Sequence, residues 1–376
     1  MKVLVAGDFC PQYRAADLFE KEAFSQVLGE VKETILGTDY SIVNFECPVV
    51  CGDEMPIRKQ GPNLKCSEKG IEAIRWAGFR CVSLANNHFF DFGQEGIKNT
   101  LEACKKNVID TVGGGLNIQE ASRILYKEIN GQTLAIINCC EHEFSIATEK
   151  TAGSNPLNPI QQYYAIQEAK KISDYVLVIV HGGHEMWQYP SPRMQETYRF
   201  FVDAGADAVV NHHQHCYSGY ETYKEKPIFY GIGNFCFDKR IPGHSMWNDG
   251  YMVVIHFSDK ISFTTIPYSQ CGNSQTIRIK KGEEMEDFKH CIASLNKCIA
   301  DPLLVEDCFE HYCNSCLKRV LGLFSPFSNR YLRGAAQNGF LPFFLSKKKI
   351  IRLFDYISCE SHRNIVIRCL HHSIAK

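Results

Sequence analysis

Seven apolar runs of strand length, separated by amphipathic stretches, dominate the first 270 residues. They are VLVAG (3–7), SIVNF (41–45), CVSLA (81–85), LAIIN (134–138), YVLVIV (175–180), DAVVN (207–211) and IFYGIG (228–233). Continuous runs this short read as strands buried on both faces, the condition of parallel strands covered by helices. Between them GQEGIKNTLEACKKN (93–107) and RMQETYRFFVDAG (193–205) carry a helical period, and that alternation specifies an α/β core. YMVVIHF (251–257) and ISFTTIPY (261–268), joined by Ser258–Asp259–Lys260, read as a hairpin. A core with both βαβ units and hairpins suits a layered sandwich better than a simple doubly wound sheet. After Ser269 the segments EEMEDFKHCIASLNKCI, LLVEDCFEHYCNSCLKRVLGLF and KKKIIRLFDYISC read as helices. The expected organisation is an α/β domain over 1–269 and a helical extension over 270–376.

Composition narrows the function classes. With 45% hydrophobic residues, 24 Phe and 17 Tyr in 376 residues, the chain has ample surface to bury, which excludes general disorder. A net charge of −1 argues against a polyanion-binding chain, and nucleic acid is not an expected partner. The charge is uneven: residues 271–376 carry 16 Lys+Arg against 10 Asp+Glu, and residues 1–270 carry 25 against 32. No charged segment precedes an apolar leader, and no run reaches the roughly 20 apolar residues of a spanning helix. A cytoplasmic protein is expected, with its 18 scattered cysteines mostly buried and reduced.

The chemistry sits where the apolar runs stop. Asp8 follows the first, Glu46 the second, Asn87 and His88 the third, His181 the fifth, and His213 and His215 the sixth. Ligands of open α/β sheets bind at the carboxyl ends of strands, so these distant loops are expected to converge. Carboxylate, amide oxygen and imidazole without thiolate form a set suited to Mn, Fe or Zn. Taken singly, Asp8 also reads as a helix cap or turn residue, Glu46 as a solvated loop carboxylate, and Asn86–Asn87 as left-handed turn residues. His181 likewise reads as an ordinary strand-end histidine. Three histidines within 212–215 at one strand end are harder to explain without a metal.

These residues lie in motifs that resemble the CapA capsule-synthesis (poly-γ-glutamate synthesis) family, a branch of the calcineurin-like metallophosphoesterase superfamily. The motifs are Gly7–Asp8, Asn44-Phe45-Glu46-Cys47-Pro48, Ala85-Asn86-Asn87-His88 with Asp91 and Gly93, His181-Gly182-Gly183-His184-Glu185, His212-His213-Gln214-His215, and Tyr230-Gly231-Ile232-Gly233-Asn234-Phe235. They span residues 1–240, and the tail after 270 matches no family. The resemblance implies a four-layer α/β/β/α sandwich with a metal centre at one sheet edge, holding one or two divalent ions. It places Asp8 and His215 on one metal, Asn87, His181 and His213 on the other, and Glu46 as the bridging carboxylate. His88 would act as general acid beside a metal-activated water.

The chain departs from the superfamily in two motifs. Asp8-Phe9-Cys10 stands where phosphoesterases have Asp-x-His, so one imidazole is lost unless the Cys10 thiolate replaces it; packing is the favoured reading of Cys10. Asn44-x-Glu46 replaces the usual Gly-Asp pair. Glu185, four residues after His181, is a further catalytic candidate, as a base or as a partner that orients a ligating histidine; a surface carboxylate is the plain alternative. Asn234 is expected to fix loop backbone. Cys308, His311, Cys313 and Cys316 do not share one helix face, which argues against a zinc site. Phe340–Phe354 alternates apolar and basic residues, compatible with a membrane surface but read first as a docked helix.

The functional expectation is a metal-dependent hydrolase of a phosphoester or polymer intermediate in capsule or envelope assembly, partnered with other assembly enzymes. Two alternatives stay open: a non-enzymatic assembly factor binding an anionic polymer, and a metal-dependent amide or γ-glutamyl hydrolase.

Overall fold

The computed structural model describes residues 1–239, 243, 245–323, 327, 329–337, 340 and 346–374. In the first sheet β1 (Lys2–Phe9), β2 (Tyr40–Phe45), β3 (Cys81–Ser83) and β4 (Asp110–Val112) run parallel in that order. On the other side of β1 lie β14 (Asp249–His256), β15 (Ser262–Ser269) and β16 (Arg278–Ile279), all antiparallel pairings. β13 (Asn234–Cys236) pairs with the carboxyl end of β1. The second sheet has the order β11 (Tyr220–Tyr223), β12 (Lys226–Phe229), β10 (Ala208–His212), β9 (Tyr175–His181), β7 (Gln132–Cys140), β6 (Leu125–Ile129). A two-stranded patch joins β5 (Gly114–Gly115) to β8 (Gly153–Ser154).

The period-two geometry of a strand sorts these side chains between layers. In β1, Val3 and Val5 enter a core shared by both sheets, whereas Leu4 and Ala6 face helices. In β9, Leu177 and Ile179 enter the same shared core, and Val176, Val178 and Val180 face away. The outer face of the first sheet is covered by α1 (Tyr13–Glu20), α2 (Phe24–Leu36), α3 (Lys69–Ala77) and α4 (Gly93–Lys106). The outer face of the second is covered by α6 (Pro159–Ile172) and α7 (Pro192–Asp203), while α5 (Ile118–Ala121) is a single turn beside β5. This is the four-layer α/β/β/α sandwich expected from the sequence, and the hairpin of β14 and β15 is present.

The chain forms two compact units, Met1–Glu306 and Asp307–Lys376. The first runs past the expected boundary at residue 269 because α8 (Glu283–Ile299) belongs to it. α8 buries Phe288, Ile292 and Leu295 in the inter-sheet core and Ile299 beneath α7. Asn296 Oδ1 accepts the Tyr220 amide at 2.7 Å, and Gln195 Nε2 donates to the Ile299 carbonyl at 2.8 Å. Further on lie α9 (Pro302–Leu323), α10 (Arg330–Gln337), α11 (Lys347–Ser358) and α12 (Glu360–Ile374). Of the segment Phe340–Phe354, residues 341–345 lie outside the described residues. No helix among the described residues is long and apolar enough to cross a membrane.

Candidate metal centre

The carboxyl ends of β1, β2, β3, β9 and β10 meet at one edge of the sandwich. Asp8 is delivered by an irregularity in β1, where the register with β2 jumps from Ala6↔Val43 to Asp8↔Asn44. Gly7 is required there, because a Cβ would stand 1.9 Å from the Gly233 carbonyl oxygen. After β10 the chain turns sharply, with φ of +89° at His213 and +55° at His215. Left-handed backbone at two side-chain-bearing residues costs about 1 kcal/mol each and persists where surroundings demand it. The turn points both rings at the carboxylates.

Two groups of side chains converge closely enough to hold a cation: Asp8, Glu46 and His215, and Glu46, His181 and His213. Glu46 is common to both. Its Oε1 lies 3.5 Å from His181 Nε2 and 3.7 Å from His215 Nε2. His181 Nε2 is also 3.0 Å from Asn87 Oδ1 and 3.0 Å from His213 Nδ1, so four donor atoms crowd one point. The outer nitrogens are held from behind. Asn44 Nδ2 lies 3.2 Å from His181 Nδ1 and donates to Asp8 Oδ1 at 2.8 Å. Asn234 Oδ1 lies 3.0 Å from His215 Nδ1, and its Nδ2 donates to the His215 and Trp247 carbonyls. Such backing contacts orient ligating imidazoles. Asn234 thus fixes a ring as well as the backbone.

The electrostatics fit a cation. Glu46 is fully buried, and neither of its oxygens has a hydrogen-bond partner among the described residues. Burial first, then repulsion from Asp8, pushes its carboxyl well above the ordinary range. Burial also acts to raise Asp8, but the His212 and His215 ring nitrogens, 3.2 and 3.4 Å from its oxygens, outweigh it and hold that carboxyl well below the usual range. Burial, then the neighbouring His213, drives His181 well down, and His213 falls to about 4 through burial and His215. Two neutral imidazoles facing a buried carboxyl group with orphaned oxygens turn lone pairs toward one point. A divalent cation satisfies that arrangement, and the oxygen–nitrogen donor set admits Mn, Fe or Zn.

The remaining candidates occupy distinct places. His88 lies outside both groups, with Nδ1 2.6 Å from Asp91 Oδ2. Glu185 is exposed on the loop after β9 and forms no hydrogen bond to His181, His213 or His215, although its charge reaches Glu46. Cys10 joins neither group; it packs in the helix-facing core, where burial raises its thiol. Asn44 and His212 lie in the sequence motifs without a role of their own there, and Glu143 lies outside them. His212 Nδ1 lies 3.2 Å from Asp8 Oδ1. Glu143 accepts from Asn87 Nδ2 at 3.4 Å and stands 3.8 Å from His213 Nε2. The signal for Glu143 was present, since Glu141-His142-Glu143 follows β7 as the candidate metal-binding residues follow their strands.

The family model described as "Bacterial capsule synthesis protein PGA_cap" matches residues 2–239. Capsule biosynthesis protein CapA of Bacillus anthracis is 33% identical over 267 residues, 69% of this chain and 64% of that protein. PGA biosynthesis protein CapA of Bacillus subtilis (strain 168) is 31% identical over 253 residues, 66% of each. The chain therefore spans less than two thirds of the length of either relative. Among solved structures, a novel phosphatase from Mycoplasma pneumoniae aligns with 76% of this chain and 96% of its own at 16% identity and a TM-score of 0.46. The matched residues take in every strand-end loop of the centre, from Asp8 to Asn234, and the chain belongs to the bacterial capsule synthesis protein PGA_cap family.

Proposed function

We propose that the chain is a metal-dependent hydrolase acting in capsule or poly-γ-glutamate assembly, on a phosphoester or a polymer intermediate. Asp8, Glu46, Asn87, His181, His213 and His215 hold one or two divalent ions. The observation that carries this reading is Glu46, a buried carboxyl group with both oxygens unpartnered among the described residues, between the Nε2 atoms of His181 and His215. A bound cation supplies Lewis acidity and a water acidic enough to react near neutral pH. The chain's own groups supply the rest. Asn44 and Asn234 hold the His181 and His215 rings, and His88, its Nδ1 hydrogen on Asp91, is the general acid, its Nε2 taking up a proton before delivering it to a leaving oxygen. Glu185 is the remaining candidate base. The helical extension, with Ile350, Ile351 and Phe354 exposed beside Lys347, Lys348, Lys349 and Arg352, is read as contacting an anionic membrane surface.

Elemental analysis of protein purified without chelator, and again after manganese loading, tests this beside His215→Ala. One or two equivalents, reduced in the variant, support the centre and justify a screen of phosphomonoesters and phosphodiesters. His88→Ala is then expected to abolish turnover with metal retained. Metal absent from both wild-type preparations would overturn the hydrolase reading and leave the binding of an anionic polymer as the role of this edge.

A further inference from the structure

Lys59 turns inward from an exposed loop. Residues 51–63 form no helix or strand, and Arg58, Gln60, Gly61 and Pro62 are exposed, yet the Lys59 side chain is only 3% exposed. Lysine is almost never that buried unless paired. Its ion-pair partner is Asp91 Oδ1, on a side chain with no exposure at all. Its Nζ also lies 3.1 Å from His88 Nδ1. Asp91 gathers the loop around this pair. Its Oδ2 accepts the Leu64 amide at 2.7 Å, and its backbone carbonyl accepts the Ile57 amide at 2.9 Å.

The chemistry of the three groups assigns their protons. An ammonium only donates, an ionised carboxylate only accepts, and Nδ1 offers either one hydrogen or one lone pair. Asp91 Oδ2 is the closer neighbour of Nδ1, at 2.6 Å, so the ring hydrogen faces Asp91. Lys59 then acts on the carboxylate, cancelling a charge that has no water around it. His88 Nε2 has no hydrogen-bond partner among the described residues and remains free. We propose that Lys59 is a positioning residue for His88: its ammonium keeps Asp91 an acceptor, so the ring holds its hydrogen on Nδ1, and it latches residues 57–64 to the same carboxylate. Any effect on turnover rests on the hydrolase reading; the latch and the tautomer do not.

The test uses the full chain labelled with 15N-histidine, as wild type, Lys59→Met and Lys59→Arg, with His88→Gln to assign the ring. Wild type is expected to show the Nδ1–H pattern for His88. Lys59→Met loses it and exchanges the Ile57 and Leu64 amides at least about tenfold faster, and Lys59→Arg restores both. Unchanged tautomer and unchanged protection in Lys59→Met would overturn the proposal. Metal content measured on the same samples separates the two readings, since a metal-free wild type sinks the hydrolase while leaving the His88 result intact. Where a manganese-loaded wild type hydrolyses a phosphodiester, Lys59→Met lowers kcat at constant KM; a rise in KM alone would mean that Lys59 contacts substrate instead.

Discussion

Glu46 shows how a residue suited to ligation weakens the fold that carries it. A buried carboxylate without partners costs more than its neutral isostere. At a pH above its raised value, where Glu46 is ionised in the metal-free chain, Glu46→Gln is therefore expected to raise the stability of chelator-treated protein by about 1–2 kcal/mol, and at any pH to lower manganese occupancy, read by thermal unfolding with and without metal. The sign of its titration gives a second outcome. Its carboxyl is raised by burial and by Asp8, so the metal-free chain retains a proton that the unfolded chain has released. That contribution to stability is full below the ordinary glutamate range and is lost as pH rises through the raised value. His181 and His213 are depressed and, as neutral rings, carry no second proton to release. Manganese binding should thus release close to one proton, and calorimetry in two buffers of different ionisation enthalpy measures it. The candidate ligand types were legible because each follows an apolar run. Lys59 was not, because nothing local marks a loop lysine whose partner lies 32 positions on at Asp91.

At the scale of elements, buried parallel strands announce themselves as apolar runs, and helices such as α4 and α7 as amphipathic ones. What an amphipathic helix packs against is decided by tertiary structure, which is why α8 read as the start of the tail. Its apolar side meets the inter-sheet core, so Phe288→Ala is expected to cost about 3 kcal/mol in a denaturant titration. Truncation after residue 306 should preserve the cooperative melting of the first unit, and truncation after residue 269 should abolish it. Equal melting of both fragments would mean that α8 adds nothing to that core. α1 and α2 left weaker marks, being short of capping residues: neither has a side-chain cap.

For the whole molecule, the uneven charge seen in the composition acquires a location. Exposed apolar residues of α11 stand among its basic ones, and α12 exposes Ile365, Ile367 and Leu370. The full chain is expected to co-sediment with vesicles containing anionic lipid, less so as salt rises, and Phe354→Glu should weaken it. Binding only to neutral vesicles would contradict that reading. The two sheets raise a different matter. Each candidate group draws ligands from both: Asp8 and Glu46 come from the first sheet, and His181, His213 and His215 from the second. An ion there would work as a rivet through two plates, gripping one rim while the opposite rim relies on side-chain packing and the Lys127–Asp110 ion pair. Sliding of one plate past the other would then be resisted asymmetrically, and stripping the ion would let the riveted rim creep while the far rim kept its stiffness.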